Sequence, residues 1–258
     1  MKNRGCRKAE TFHTRRTLSP DTDNAVVGSL SFLFLIEKTT TAQSISARSL
    51  LFYKEGFSMS ETKRTQRMKR IRALTESALM IALATALSFV VLWEMPMGGS
   101  VTLASMLPVM LIGIKYGSVQ GVGTAFVFSG IQLAQAIAKG NVFIYTETAP
   151  LAVAVALLDY VLPYTVIGLA GIFRNFRPEK CPRLGCYLGI FAVVFARFVC
   201  HFFSGVLIWG QWAEDMHPVV YSILYNGGFL LPDLAIAFLV AIYLLEIPVM
   251  QKALDIPR

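Results

Sequence analysis

Six apolar stretches lie between Ile71 and Leu245, and each is separated from the next by only a few residues rich in proline, glycine or charge. A bilayer core about 30 Å thick is crossed by roughly 20 apolar residues in a helix. Every backbone donor and acceptor in lipid has to be satisfied inside the spanning segment. A chain written this way is therefore read as an all-α integral membrane protein with six transmembrane helices. The stretches are 71–93, 101–116, 119–137, 149–173, 184–209 and 219–245. Pro96, Gly98 and Gly99 turn the chain after the first. Pro108 falls near the middle of the second and predicts a kink there, and Pro163 interrupts the fourth. A hydrophobic share of 55% against 16% charged residues, with mean hydropathy +0.56, excludes an ordinary soluble domain.

The formal net charge of +8 suggests nucleic acid until it is located. Residues 1–70 hold fourteen Lys/Arg against six Asp/Glu, and the remainder carries ten of each. Basicity confined to the flank of a first apolar segment is what the positive-inside rule places in the cytoplasm. Basic residues in the flank, at Lys115, in the 174–183 connection and at the C-terminus predict that both termini are cytoplasmic. Nucleic-acid binding is not expected, because no aromatic or glycine pattern accompanies the charge. Residues 1–58 lack helical periodicity, and their one apolar run, Val26 to Ile36, is too short to span. They are expected to be disordered or a non-native upstream extension, with translation starting at Met59. Residues 59–70 then form the basic flank, 71–246 the membrane domain and 247–258 a cytoplasmic tail. Cys181 and Cys186 have no second Cys or His pair nearby, so free thiols are expected instead of a metal site.

Polar residues at membrane depth are costly and mark function. Arg197, His201, Gly205 and Trp209 recur every four residues along the fifth stretch, on one helical face. Asp159 and Tyr160 lie in the fourth stretch, and Tyr221 and Asn226 in the sixth. At 1.5 Å rise per residue, Asp159 sits roughly 15 Å below the outer surface and His201 roughly 12 Å, so these groups converge in the outer half of the bilayer. Each has a structural alternative. Asp159 and Arg197 are candidates for a buried ion pair, Gly205 for a close helix crossing, and Trp93, Trp209 and Tyr221 for an interfacial aromatic belt. Taken together, a carboxylate, aromatic faces and amide and imidazole groups suit a planar, partly cationic heterocycle. In that reading Asn226 and His201 are placed to address ring nitrogens.

The segments Trp93 to Leu103, Leu157 to Tyr160, Gly168 to Gly171, Arg197 to Trp209 and Tyr221 to Asn226 occur in an order that resembles the thiamine-specific substrate-binding subunits of energy-coupling factor vitamin transporters. The resemblance covers about residues 70–245. It implies a six-helix fold in the bacterial plasma membrane with thiamine near the outer surface, capped by the loop after the first helix. It assigns Trp93 to that lid, Asp159 to the positive charge of the ligand, and Tyr160 to an aromatic contact. His201, Gly205 and Trp209 become one wall, Tyr221 and Asn226 the other, and Arg197 an electrostatic support. Departures from the family pattern are Val161-Leu162 before Pro163, Met97 where glutamine is common, and Asp159 in place of the longer glutamate.

No phosphate-binding G-x-x-x-x-G-K-[ST] loop is present, so ATP has to be used by partners. Ala78, Ala82 and Ala86 form a small-residue stripe that either packs inside the molecule or docks another helix. The resemblance implies docking to a transmembrane coupling subunit that carries two ATPases, with no cofactor of the chain's own. Three other classes stand beside this reading: a solitary gradient-driven carrier, a sister subunit for another vitamin, and an intramembrane hydrolase using His201, Ser204 and Asp159. The last lacks a nucleophile motif, and its serine follows its histidine by only three residues on one helix.

Overall fold

The computed structural model describes residues 61, 63–96, 98–140, 148–213 and 215–256. The expectations for residues 1–58, a start at Met59, and Met97 lie outside the described residues. The chain divides into Met1–Arg67 and Met68–Arg258. The second unit carries the fold and the site, and of the first only the beginning of a helix is described.

In chain order the elements are α1 (Lys63–Ser88), β1 (Val91–Glu94), β2 (Ser100–Thr102), α2 (Leu107–Tyr116) and α3 (Ser118–Ala138). They continue with α4 (Ala149–Gly171), α5 (Leu184–Leu207), α6 (Pro218–Glu246) and the short α7 (Pro248–Ala253). Five of these helices, α1, α3, α4, α5 and α6, have 21 to 29 residues and are long and apolar enough to cross a bilayer, while α2 is a shorter apolar helix. Their outward surface is apolar: Leu79, Phe126, Phe195, Leu207, Leu231 and Leu239 are each more than half exposed. Arg197, His201, Ser222, Asn226 and Asp233 are buried instead. This arrangement is stable only where the outside is lipid.

Two expectations about the first two stretches are corrected. The first helix stops at Ser88, and Val91–Glu94 pairs antiparallel with Ser100–Thr102, in the register Trp93 to Val101 and Glu94 to Ser100, with a bulge between Val91 and Trp93. β-Branched and aromatic residues beside a glycine-rich turn favour a hairpin over one more helical turn. Gly98 takes a φ of 103°. A Cβ on Gly99 would come within 2.7 Å of the Phe229 ring, so the hairpin tip reaches α6 only because glycine is there. Pro108 does not kink α2. It lies in the first turn, where its missing N–H has no helical partner to lose.

The core is built by α2, α3, α4 and α5 around Met106, Leu107, Met110, Phe128, Ile167 and Ile190. Gly168 of α4 sits against Gly121 of α3, where a side chain would run into the Gly121 and Val122 backbone. That contact gives the glycine-rich segment 168–171 a packing role. α1 rests on α3 through Ser77, which receives hydrogen bonds of 3.0 Å from both Gln120 Nε2 and Thr124 Oγ1. Ala73, Ser77 and Ala84 are therefore the buried face of α1, while Ala78, Ala82 and Ala86 are exposed. The alanine stripe does not pack inside the molecule.

Candidate functional site

α4 is not uniform where the site begins. Residues Ala156–Val161 form a π-turn, closed by the Leu162 N–H bonding to the Leu157 carbonyl, five residues back. Pro163 explains it. Proline has no N–H to offer the Asp159 carbonyl and its ring crowds that position, so the helix widens by one residue. The widened turn carries Asp159 and Tyr160.

A pocket opens there. Asp159, Tyr160, Arg197, His201, Gly205, Trp209, Tyr221 and Asn226, all expected from the sequence, line it together with Tyr164, Tyr225, Phe229 and the hairpin turn Gly98–Ser100. Trp93 is the exception. It lies on β1, is 56% exposed and is not on the pocket wall. The turn at Gly98–Ser100 lines the pocket in its place, and a side chain at Gly99 would collide with the Phe229 ring. Trp209 falls past the end of α5, in a 3₁₀ turn at Trp209–Trp212, and this turn brings its indole back over the site.

The hydrogen bonds assign a role to each polar group. Arg197 Nε donates to His201 Nε2 at 3.3 Å. A ring nitrogen that accepts is unprotonated, so His201 is the neutral Nδ1–H tautomer. That proton points to Asp159 Oδ1 at 3.3 Å, and Trp209 Nε1 donates to Asp159 Oδ2 at 2.8 Å. With both ring nitrogens engaged, His201 has none left for a ligand's ring nitrogens. Its ring instead packs edge-on to Phe229, with centroids 5.7 Å apart. Asn226 is also turned in one sense only. Its Nδ2 donates to the carbonyls of His201 (3.1 Å) and Ser222 (3.0 Å), leaving Oδ1 as the acceptor it can offer.

The alternative of an Asp159–Arg197 ion pair is not what forms. The carboxylate facing Arg197 is Asp233 of α6, 3.8 Å from its Nη1 and almost fully buried. Asp233 also accepts from the Thr102 backbone N–H at 3.1 Å and from its hydroxyl at 3.2 Å, tying β2 to α6. Arg197 is further held by Met106 Sδ, by the Tyr164 hydroxyl at 3.2 Å, and by the Tyr164 ring, whose centroid is 4.4 Å away. Arg197 and Asp233 thus cancel. Among the described residues no Lys or Arg lies within ion-pair distance of Asp159, and its two donors are neutral. The pocket carries one unneutralised carboxylate between aromatic walls, where Tyr221 stacks on Tyr225 at 5.6 Å and Tyr225 meets Phe229 edge-on at 6.2 Å. Such an arrangement suits a cation. The pocket is not arranged as a hydrolase site: among the described residues Ser204 Oγ is buried without a hydrogen-bond partner, and His201 is committed elsewhere.

Tyr225 and Phe229 were within reach of the sequence, since they continue the four-residue spacing of Tyr221. Asp233 completes that series, but its place after Pro232 in a long apolar run gave no hint of which charge it meets.

A family model described as thiamine transporter protein matches residues 74–253. The thiamine transporter ThiT of Bacillus subtilis (strain 168) is 30% identical over 182 residues, covering 67% of this chain and 89% of that protein. The thiamine transporter ThiT of Lacticaseibacillus paracasei is 28% identical over 176 residues, covering 63% and 81%. A solved structure of ThiT from Listeria monocytogenes shares the fold, with a TM-score of 0.59 at 22% identity, over 73% of this chain and 100% of the other.

Proposed function

The chain belongs to the thiamine transporter protein family, a non-enzymatic family of multi-pass proteins of the bacterial plasma membrane, and from that premise we propose that it is the thiamine-capturing subunit of an ATP-driven importer. Thiamine joins an aminopyrimidine to a permanently cationic thiazolium. The observation that carries the reading is Asp159: a carboxylate with no fixed cation, held by His201 and Trp209 in an aromatic pocket. A thiazolium supplies the missing charge, and the rings of Tyr160, Trp209 and Tyr221 supply faces for it. Asn226 Oδ1 accepts from the amino group of the pyrimidine. Arg197 shapes the site through His201 without touching the ligand. The hairpin turn at Gly98–Ser100 closes over it.

Transport needs partners, since the chain has no nucleotide loop. The exposed Ala78, Ala82 and Ala86 on α1 suit close approach by a helix of a transmembrane coupling subunit, which in turn binds two ATPases. Charge supports the orientation. Lys69, Arg70, Arg72, Lys115 and Lys252 line one groove, while the hairpin follows the far end of α1, about 27 Å along the helix. The positive-inside rule then puts both termini, with the 59–70 flank and the 247–258 tail, in the cytoplasm and the pocket mouth outside.

The test is a fluorescence titration of the detergent-purified full chain with thiamine, riboflavin and the hydroxymethyl-pyrimidine precursor, beside Asp159→Asn. Saturable quenching by thiamine, weakened at least tenfold in the variant while its thermal stability is kept, is expected. A flat response to thiamine, or an unchanged response in Asp159→Asn, would reject the reading.

A further inference from the structure

A second cavity adjoins the pocket and shares Gly98, Ser100, Tyr160, Tyr164 and Arg197 with it. Its volume is about 60 Å³, against the roughly 10–15 Å³ that one water needs, so it has room for several non-hydrogen atoms. Its remaining wall is unusually polar for the interior of a membrane bundle. Ser88 of α1, Ser105, and Gln132 and Gln135 of α3 contribute hydroxyl and amide groups. Most of these are satisfied among themselves: Ser88 Oγ donates to the Thr85 carbonyl at 2.7 Å and lies 3.3 Å from Gln135 Oε1, and Ser105 Oγ lies 2.7 Å from Thr102 Oγ1. Arg197 and Asp233 face each other, and Lys139, half-exposed on the wall, is paired with Glu94 at 3.6 Å. The chamber is therefore polar but close to neutral.

One group in it is left over. Gln132 is only 8% exposed, and its Nε2 has no hydrogen-bond partner among the described residues. A buried amide donor without an acceptor is unfavourable, and such groups in native structures are met by water or ligand. From this donor, the space before it and its continuity with the carboxylate pocket, we infer that the chamber is a subsite for the neutral, hydroxyl-bearing arm of the ligand, with Gln132 Nε2 donating to the hydroxyl oxygen. The inference rests on the thiamine reading. In thiamine that arm is the hydroxyethyl group on the thiazolium ring, so the cation at Asp159 and the hydroxyl at Gln132 belong to one end of the molecule. Gln132 is then a specificity-determining residue: it recognises the hydroxyl, and Asp159 recognises the charge.

The experiment is a titration of the full chain and of Gln132→Leu with thiamine and with the analogue whose hydroxyethyl is replaced by ethyl. A single neutral hydrogen bond predicts that the wild type prefers thiamine to the ethyl analogue by about two- to tenfold. It also predicts that Gln132→Leu loses this preference by weakening thiamine alone. Equal affinity of the wild type for both ligands overturns the inference without need of any variant. So does a Gln132→Leu chain that binds thiamine as tightly as the wild type, which would leave the chamber to water, or one that weakens both ligands alike, which would make Gln132 structural. Failure of the wild type to bind either ligand would instead overturn the thiamine reading on which the inference rests.

Discussion

Asp233→Asn isolates the ion pair that holds the site together. The amide keeps the size of the carboxylate and an oxygen for the Thr102 donors, so what disappears is the charge facing Arg197. Arg197 is 5% exposed and would remain a buried cation with neutral partners, His201, Met106 and Tyr164, and no facing carboxylate. Breaking one side of a buried pair costs about 3–5 kcal/mol. For a chain of this size about 1 kcal/mol moves the melting temperature by roughly 2–4 °C, so a fall of about 10 °C is expected. Arg197→Met alone should cost a similar amount by stranding Asp233. The double variant should cost clearly less than the two added together, by about 2 kcal/mol, because neither charge is then left alone. Scanning fluorimetry of the four purified proteins, read from their tryptophans, measures all three quantities. Asp159→Asn is the internal control, and should melt within about 2 °C of the wild type because it keeps an oxygen for one of its two donors, removes a charge that no Lys or Arg pairs, and breaks no ion pair. If Asp159→Asn were the damaging change and Asp233→Asn the mild one, the pairing would be the other way round and the line of contacts from Thr102 through Asp233 and Arg197 to His201 would be wrong.

Three further outcomes follow from the same geometry. Gly205→Ala would push a methyl against Ser222 Oγ and to 3.0 Å from Asn226 Nδ2, which should destabilise by about 1–3 kcal/mol and weaken thiamine binding; Gly123→Ala, with nothing within 4 Å, should do neither. Pro163→Ala restores a donor for the Asp159 carbonyl and lets α4 tighten to regular α-helix, so thiamine affinity should fall although no side chain at the pocket's charge has changed, and a titration beside a melting curve separates the two effects. Ala82→Leu should bind thiamine normally yet lose uptake in vesicles that also contain the coupling subunit and its ATPases; uptake by the chain alone, abolished by an ionophore, would mean a gradient-driven carrier.

The helical stripe was legible because lipid makes polar residues informative. Four positions spaced by four on an apolar segment have to share a face, and α5 puts Arg197, His201 and Gly205 there. Partner choice was not legible. Asp159 and Asp233 are both carboxylates in apolar helices, and only the crossing of α5 and α6 decides which one meets Arg197. The hairpin was hidden for a different reason: Val91–Glu94 continues an apolar run without a break, and three or four residues are too few to show a period of two. The hairpin also moves Trp93, which the resemblance assigned to the lid, onto β1, while the turn at Gly98–Ser100 lines the pocket. The π-turn was readable in part, since Pro163 follows Asp159 by four residues, the offset at which a helix loses a hydrogen bond. The unpaired amide of Gln132 could not be seen in any sequence pattern, because its significance lies in what does not surround it.

The central claim is that a cationic ring sits at Asp159. An experimental structure of the full chain with thiamine tests it most directly. The thiazolium is expected beside the Asp159 carboxylate and within about 6 Å of an aromatic centroid, with the amino group of the pyrimidine at Asn226 Oδ1. Thiamine bound away from Asp159, or turned so that the pyrimidine meets the carboxylate and the thiazolium does not, would contradict the account.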